Sequence, residues 1–194
     1  MTTILRINSS ARNDGSVSRE LTDRLIARFD DPQVVDRDLS DGVKQLSEGT
    51  LAAMWTPADQ RIDTHQAELA DADAFIDELV SADAIVIGLP IYNFGPPASL
   101  KAWADLVARA GTTFRYTENG PEGLVENKPV YVIVASGGVP IGSGLDFAST
   151  WITTFLGFLG LTDVTIIAAG QLNVDPEGAV EAARQSVDDV TIAA

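Results

Sequence analysis

Three short segments carry the residue types that could bind or react, and each one follows an apolar run. The first, from Asn8 to Ser18, arranges Ser9, Ser10, Ser16 and Ser18 around Gly15. Hydroxyls and backbone amides at the start of a helix, where the peptide dipoles leave positive partial charge, make a phosphate site. The same serines would also serve as plain caps of the helix and turn. No Gly-Lys-Ser/Thr follows Gly15, and the loop lacks three spaced glycines, so it is neither a triphosphate loop nor a dinucleotide fingerprint. The second segment, Gly88 to Lys101, sets Ile91-Tyr92-Asn93-Phe94 between Pro90 and Pro96-Pro97. Backbone amides at Asn93 and Phe94 could meet the polar edge of a flat ring while Ile91 or Tyr92 lies against it; core packing of Tyr92 and Phe94 is the alternative reading. The third, Ala135-Ser136-Gly137-Gly138, has adjacent glycines, which allow either a close backbone approach to a ligand or a tight turn.

The elements that must position these segments follow from the apolar pattern. Ile4 to Ile7, Val34-Val35, Ala84 to Ile87, Val130 to Val134 and Val164 to Ile167 read as strands, the third and fourth as buried ones. Between them come helices: one starting near Ser16 or Ser18 with Leu21, Leu25, Ile26 and Phe29 inward, and one with Leu69, Ala72, Ile76, Leu79 and Val80. The next runs from Ala98 to about Ala110, another holds Trp151, Phe155 and Leu159, and the last is capped by Asp175-Pro176 and ends near Val190. Asp38 to Ile62 reads as an elaborated loop with a helical turn at Leu51 to Trp55, and Thr112 to Asn127 as a polar aromatic excursion. Five strands alternating with five helices predict an α/β doubly wound parallel sheet in the flavodoxin-like order 2-1-3-4-5, forming one domain over residues 1–194. In that order the loops after strands one, three and four share one crevice. A phosphate-type loop beside two ring-type loops suits a mononucleotide with a flat head, hence FMN, better than a dinucleotide.

Charge and composition narrow the function. With 28 acidic against 13 basic residues the net charge is -15, which disfavours nucleic acid and anionic membrane surfaces as partners. The absence of cysteine excludes disulfides, thiolate metal sites and cysteine nucleophiles. The start, Met1-Thr2-Thr3-Ile4, reads as strand without a basic leader or long apolar run, so a cytoplasmic protein with no membrane association is expected. His65, the only histidine, falls outside all three loops and reads as structural.

The chain resembles the FMN-dependent NADH azoreductase and quinone reductase family over nearly its whole length. The matching residues are Ser9-Ser10 with Ser16-Val17-Ser18, Pro90 to Phe94, Leu106 to Gly111, Thr113 to Leu124, and Thr154 to Gly160. The resemblance implies that Ser10, Ser16, Val17 and Ser18 hold the FMN phosphate, that Ile91, Tyr92, Asn93 and Phe94 flank the isoalloxazine, and that Ala135, Ser136, Gly137 and Gly138 reach its pyrimidine side. It further implies a ping-pong cycle in which NADH or NADPH is the donor and a quinone or azo compound the acceptor, with no catalytic side chain at the hydride step and no metal. A homodimer with sites at the interface is implied as well, making Phe114, Tyr116 and Phe158 candidates for the substrate pocket and Trp55 a candidate gate. Arg115 and Glu118 would either pair in solvent or meet a nicotinamide phosphate. Ser136 stands where many relatives have arginine, which bears on donor preference. The alternative from another class is a flavodoxin-type electron carrier whose acidic surface docks a protein partner.

Overall fold

Leu5, Ile7, Ile85, Ile87, Val132 and Val134 point to one side of a sheet and Ile4, Val86, Tyr131 and Ile133 to the other, and both sets are buried. That two-sided burial is what parallel strands covered by helices require. The computed structural model describes residues 1–192. Its strands are β1 (Thr3–Asn8), β2 (Gln33–Asp38), β3 (Ala84–Pro90), β4 (Phe114–Thr117), β5 (Gly120–Gly123), β6 (Val130–Ala135) and β7 (Val164–Ala169). The helices are α1 (Val17–Ile26), α2 (Glu48–Trp55), α3 (Asp63–Ser81), α4 (Ala98–Val107), α5 (Phe147–Leu159) and α6 (Pro176–Asp189), with a 3-10 turn at Ala58–Gln60.

The main sheet is parallel with order β2-β1-β3-β6-β7, the 2-1-3-4-5 order expected, and β4-β5 stand apart as an antiparallel hairpin. Leu21, Leu25 and Ile26 of α1 pack with Ala183 and Val187 of α6 on one face. Phe75, Ile76 and Leu79 of α3, Leu100, Trp103 and Leu106 of α4, and Ile152 and Leu156 of α5 cover the other. Gly88 is where β3 passes closest to α1: a Cβ there would lie 3.1 Å from Asn8 Oδ1 and 3.4 Å from Thr22 Cγ2.

Four local readings differ from expectation. Gly88, Leu89 and Pro90 belong to β3, because Pro90 ends the strand in register with Ala135 and its missing N–H is tolerated in the last position. Val80 is exposed and Phe75 takes its place in the core of α3. α1 stops at Ile26, and Phe29 reaches the core from the following turn by an edge-on contact with Tyr131 at 6.3 Å. The stretch from Asp38 to Ile62 contains a full helix, α2, whose N-cap Ser47 accepts the N–H of Thr50 at 3.0 Å.

Candidate functional site

The carboxyl ends of β1, β3, β6 and β7 open on one cavity of about 290 Å³. Its first wall is the start of α1. Ser16 is the N-cap residue, yet its hydroxyl makes no capping bond and lies 3.3 Å from Ser18 Oγ. The side chain of Ser16 is therefore not a plain cap, and the positive end of α1 opens on the cavity with hydroxyls of Ser10, Ser16 and Ser18 around it. The loop before α1 is held by Arg19, whose guanidinium donates to the carbonyls of Ser10 (2.9 Å) and Arg12 (3.0 Å) and grips Asp38 with two bonds of 2.6 and 2.8 Å. That grip holds the Asp38 carboxyl well below the usual carboxylate range.

Pro90, Ile91 and Tyr92 form the second wall. Tyr92 and Gly95 exchange two backbone hydrogen bonds, 2.9 and 3.1 Å, around Asn93 and Phe94. Both central residues have positive φ, 48° and 72°, as the tightest hairpin turns demand. Asn accepts that conformation readily, whereas for Phe94 it is strained, a condition typical of ligand-binding loops. The bonds across the turn use Tyr92 and Gly95, so the amides of Asn93 and Phe94 stay outside the turn's own pairing. Tyr92 also joins the two walls, since the Ala11 N–H donates to its hydroxyl at 3.1 Å.

Ala135, Ser136 and Gly137 make the third wall. The Ser136 hydroxyl accepts the Val139 N–H at 2.8 Å and so serves its own turn. The N–H groups of Leu172 and Asn173 donate to the carbonyls of Ser136 (3.0 Å) and Gly137 (2.8 Å), which brings in a fourth wall that sequence reasoning missed. Leu172, Asn173, Pro176 and Val180 line the cavity there, from the loop after β7 and the first turns of α6. A Cβ on Gly137 would fall 2.6 Å from Asn173 Nδ2, so glycine is what lets these two walls meet. Arg12 and Gly15 line the cavity as well, beside the serines of the first loop.

The remaining predicted residues lie elsewhere. Asn93 lines a neighbouring depression with Tyr92, Pro96 and Trp151, while Phe94 is 49% exposed and its carbonyl accepts the Phe147 N–H. Gly138 faces open space. Phe114, Tyr116 and Phe158 form one aromatic cluster at the hairpin, with centroids 5.4 Å apart for the first pair and 4.3 Å for Phe114 and Phe158. Phe114 is buried there, whereas Tyr116 and Trp55 are each about three-quarters exposed, at 76% and 77%. None of these aromatic residues lines the four-walled cavity. Arg115 pairs with Glu122 across the hairpin rather than with Glu118. Among the described residues no cluster of His, Asp and Glu could hold a metal ion, and no helix is long and apolar enough to cross a membrane.

The cavity suits a flavin mononucleotide on its own terms. A hydroxyl-rich helix start at one end suits an anion, apolar surfaces of Pro90, Ile91, Leu172 and Val180 leave room for a flat group between them, and uncommitted amides sit on the strained turn beside it. Comparison with known proteins agrees. A family model described as the flavodoxin-like fold matches residues 2–190. An FMN-dependent NADH:quinone oxidoreductase 1 of Jannaschia sp. (strain CCS1) is 50% identical over 188 residues, spanning 97% of this chain and 98% of that protein. Its counterpart of the same name in Hahella chejuensis (strain KCTC 2396) is 46% identical over 195 residues, spanning 98% and 96%. Among solved structures, an FMN-dependent NADH-azoreductase from Bacillus anthracis str. Ames Ancestor in complex with FMN superposes with a TM-score of 0.86 at 25% identity, covering 97% of each chain.

Proposed function

The chain belongs to the flavodoxin-like FMN-dependent NADH:quinone oxidoreductases, and from that premise we propose that it reduces quinones and aromatic azo compounds in a ping-pong cycle with NADH or NADPH as donor. The observation that carries this reading is the meeting of α1's open N-terminus with the Tyr92–Gly95 turn at one cavity. FMN, once bound, supplies the two-electron hydride chemistry between donor and acceptor. The protein's share is binding and orientation. Ser10, Ser16, Val17 and Ser18 would hold the phosphate at the helix start, Ile91 and Tyr92 would bear on the ring, and the amides of Asn93 and Phe94 would donate to its polar edge. Ala135 to Gly138 would close the far side, braced by Asn173.

The same reading makes the molecule a cytoplasmic homodimer. It is supported by apolar side chains left uncovered beside the turn, Phe94 and Phe147 among them, and by the exposed Tyr116 and Trp55, which a second copy would bring over the cavity. Phe114 and Phe158 would then support Tyr116 from behind as part of the substrate pocket.

The test is steady-state oxidation of NADH by FMN-loaded protein with benzoquinone varied at several fixed NADH concentrations. Parallel double-reciprocal lines are expected; intersecting lines would contradict the ping-pong cycle, and turnover that requires an added protein carrier would replace the reductase with an electron carrier. Light scattering after size exclusion checks the dimer, which a monomer mass at micromolar concentration would refute.

A further inference from the structure

Nine of the thirteen basic side chains hold ion pairs with carboxylates, and three more, Arg28, Arg61 and Lys128, donate to backbone carbonyls. Among the described residues Arg12 does neither, although acidic groups outnumber basic ones by more than two to one and Asp14 stands two positions along the loop. Its guanidinium lies against Gly15, where a Cβ would come within 3.2 Å of Nη2, and it lines the cavity at the start of α1.

The backbone of Arg12 is fixed on both sides. Its N–H donates to Ser10 Oγ at 3.2 Å, and its carbonyl accepts from Arg19 Nε, which is itself locked to Asp38. Gly15, at φ +64°, turns the loop tightly enough to bring the Arg12 side chain back toward the helix start. A cation with a pre-set stem, no acidic partner and a place beside two serine hydroxyls and an open helix N-terminus is arranged to receive a dianion.

We propose that Arg12 is a phosphate ligand of this cavity, clamping the terminal phosphate monoester of FMN against the start of α1 and setting the preference for FMN over riboflavin. The proposal rests on the cofactor reading above. It also explains how a chain of such negative charge holds a dianion, since every other cation is already committed.

The test is fluorescence titration of flavin-stripped protein with FMN and, separately, with riboflavin, which has the same ring and no phosphate. Arg12→Gln is expected to weaken FMN about 10-fold or more while leaving riboflavin unchanged, and to flatten the salt dependence of FMN binding. Arg12→Lys should recover part of the loss. An FMN affinity within about twofold of wild type in R12Q, or an equal loss for both flavins, would overturn the assignment. Wild-type protein that binds neither flavin would overturn the cofactor reading, and the assignment of Arg12 with it.

Discussion

Gly123→Ala attacks the joint between the hairpin and the main body. Gly123 ends β5 opposite Phe114, and it lies so close to the end of α5 that a Cβ would sit 2.1 Å from Gly160 N and 2.2 Å from the Leu159 carbonyl carbon. Both are backbone atoms. The last turn of α5 fixes them, and Gly160, at φ 105°, is in turn within 2.7 Å of Val125 O when given a Cβ. No rotamer change relieves such a clash, so backbone must move by more than an ångström. If the hairpin stays seated, overpacking of this kind costs about 1–3 kcal/mol or more. If it lifts, Phe114 loses its burial, about 1.5–3 kcal/mol, and its pairing with Phe158, about 0.5–1.5 kcal/mol. The second route sums to about 2–4 kcal/mol, and the first reaches the same range at its upper end. Urea unfolding followed by circular dichroism at one fixed protein concentration should show the midpoint falling by about 1–2 M, taking a slope near 2 kcal/mol per M. Gly144→Ala, where a Cβ meets nothing within 4 Å, serves as the control and should stay within about 0.5 kcal/mol. A G123A midpoint within about 0.3 M of wild type would refute the claim that two backbones meet there.

Tyr92→Phe removes the acceptor for the Ala11 N–H that ties the first two walls together; a loss of about 2- to 10-fold in FMN affinity is expected by fluorescence titration, and unchanged affinity would mean the tie does not order the cavity. Asp38 is held below the ordinary carboxylate range by its hydrogen bonds from Arg19, with burial opposing. A carboxyl depressed in the fold contributes stability that is present above the unfolded-state value of about 3.9 and lost as pH falls toward the folded value. The gap in urea midpoint between wild type and Asp38→Asn should therefore be constant above about pH 5 and narrow steadily as pH drops below about 4, without closing fully by about pH 2.5; a gap that is unchanged between about pH 5 and 2.5 would place the stabilisation elsewhere. Lys128 donates to the carbonyls of Leu79, Val80 and Ala82, closing the end of α3. Lys128→Met should lower the melting temperature by about 2–8 °C, and an unchanged melt would show that water serves those carbonyls equally well.

The sheet was legible because β3 and β6 are unbroken apolar runs, which only a strand covered on both faces uses. The hairpin was not, because Phe114–Thr117 and Gly120–Gly123 bury only Phe114 fully and contain Pro121, although Asn119-Gly120 is the turn signal that would have marked it. α2 was hidden by Gly49 in its first turn and by an inward face of only Thr50 and Ala53. In the cavity, the loops after β1, β3 and β6 were visible as motifs, since serine, glycine and proline mark them locally. Leu172, Asn173 and Val180 carry no such mark, and Pro176 is marked only as part of a helix cap; all four reach the cavity because β6 and β7 pair in register. Nothing local in the sequence sets Arg12 apart; only the partners of every other lysine and arginine do. The strain at Phe94 was equally invisible, since a bulky residue gives no sign in sequence that its φ is positive.

The most direct test of the central claim is anaerobic double-mixing stopped flow of FMN-loaded protein, first with NADH and then with benzoquinone, followed by flavin absorbance. Rapid bleaching on the first mix and rapid recolouring on the second, with no other protein present, is the predicted result. Bound FMN that neither NADH nor NADPH bleaches would contradict the reductase and leave a one-electron carrier as the function of this cavity.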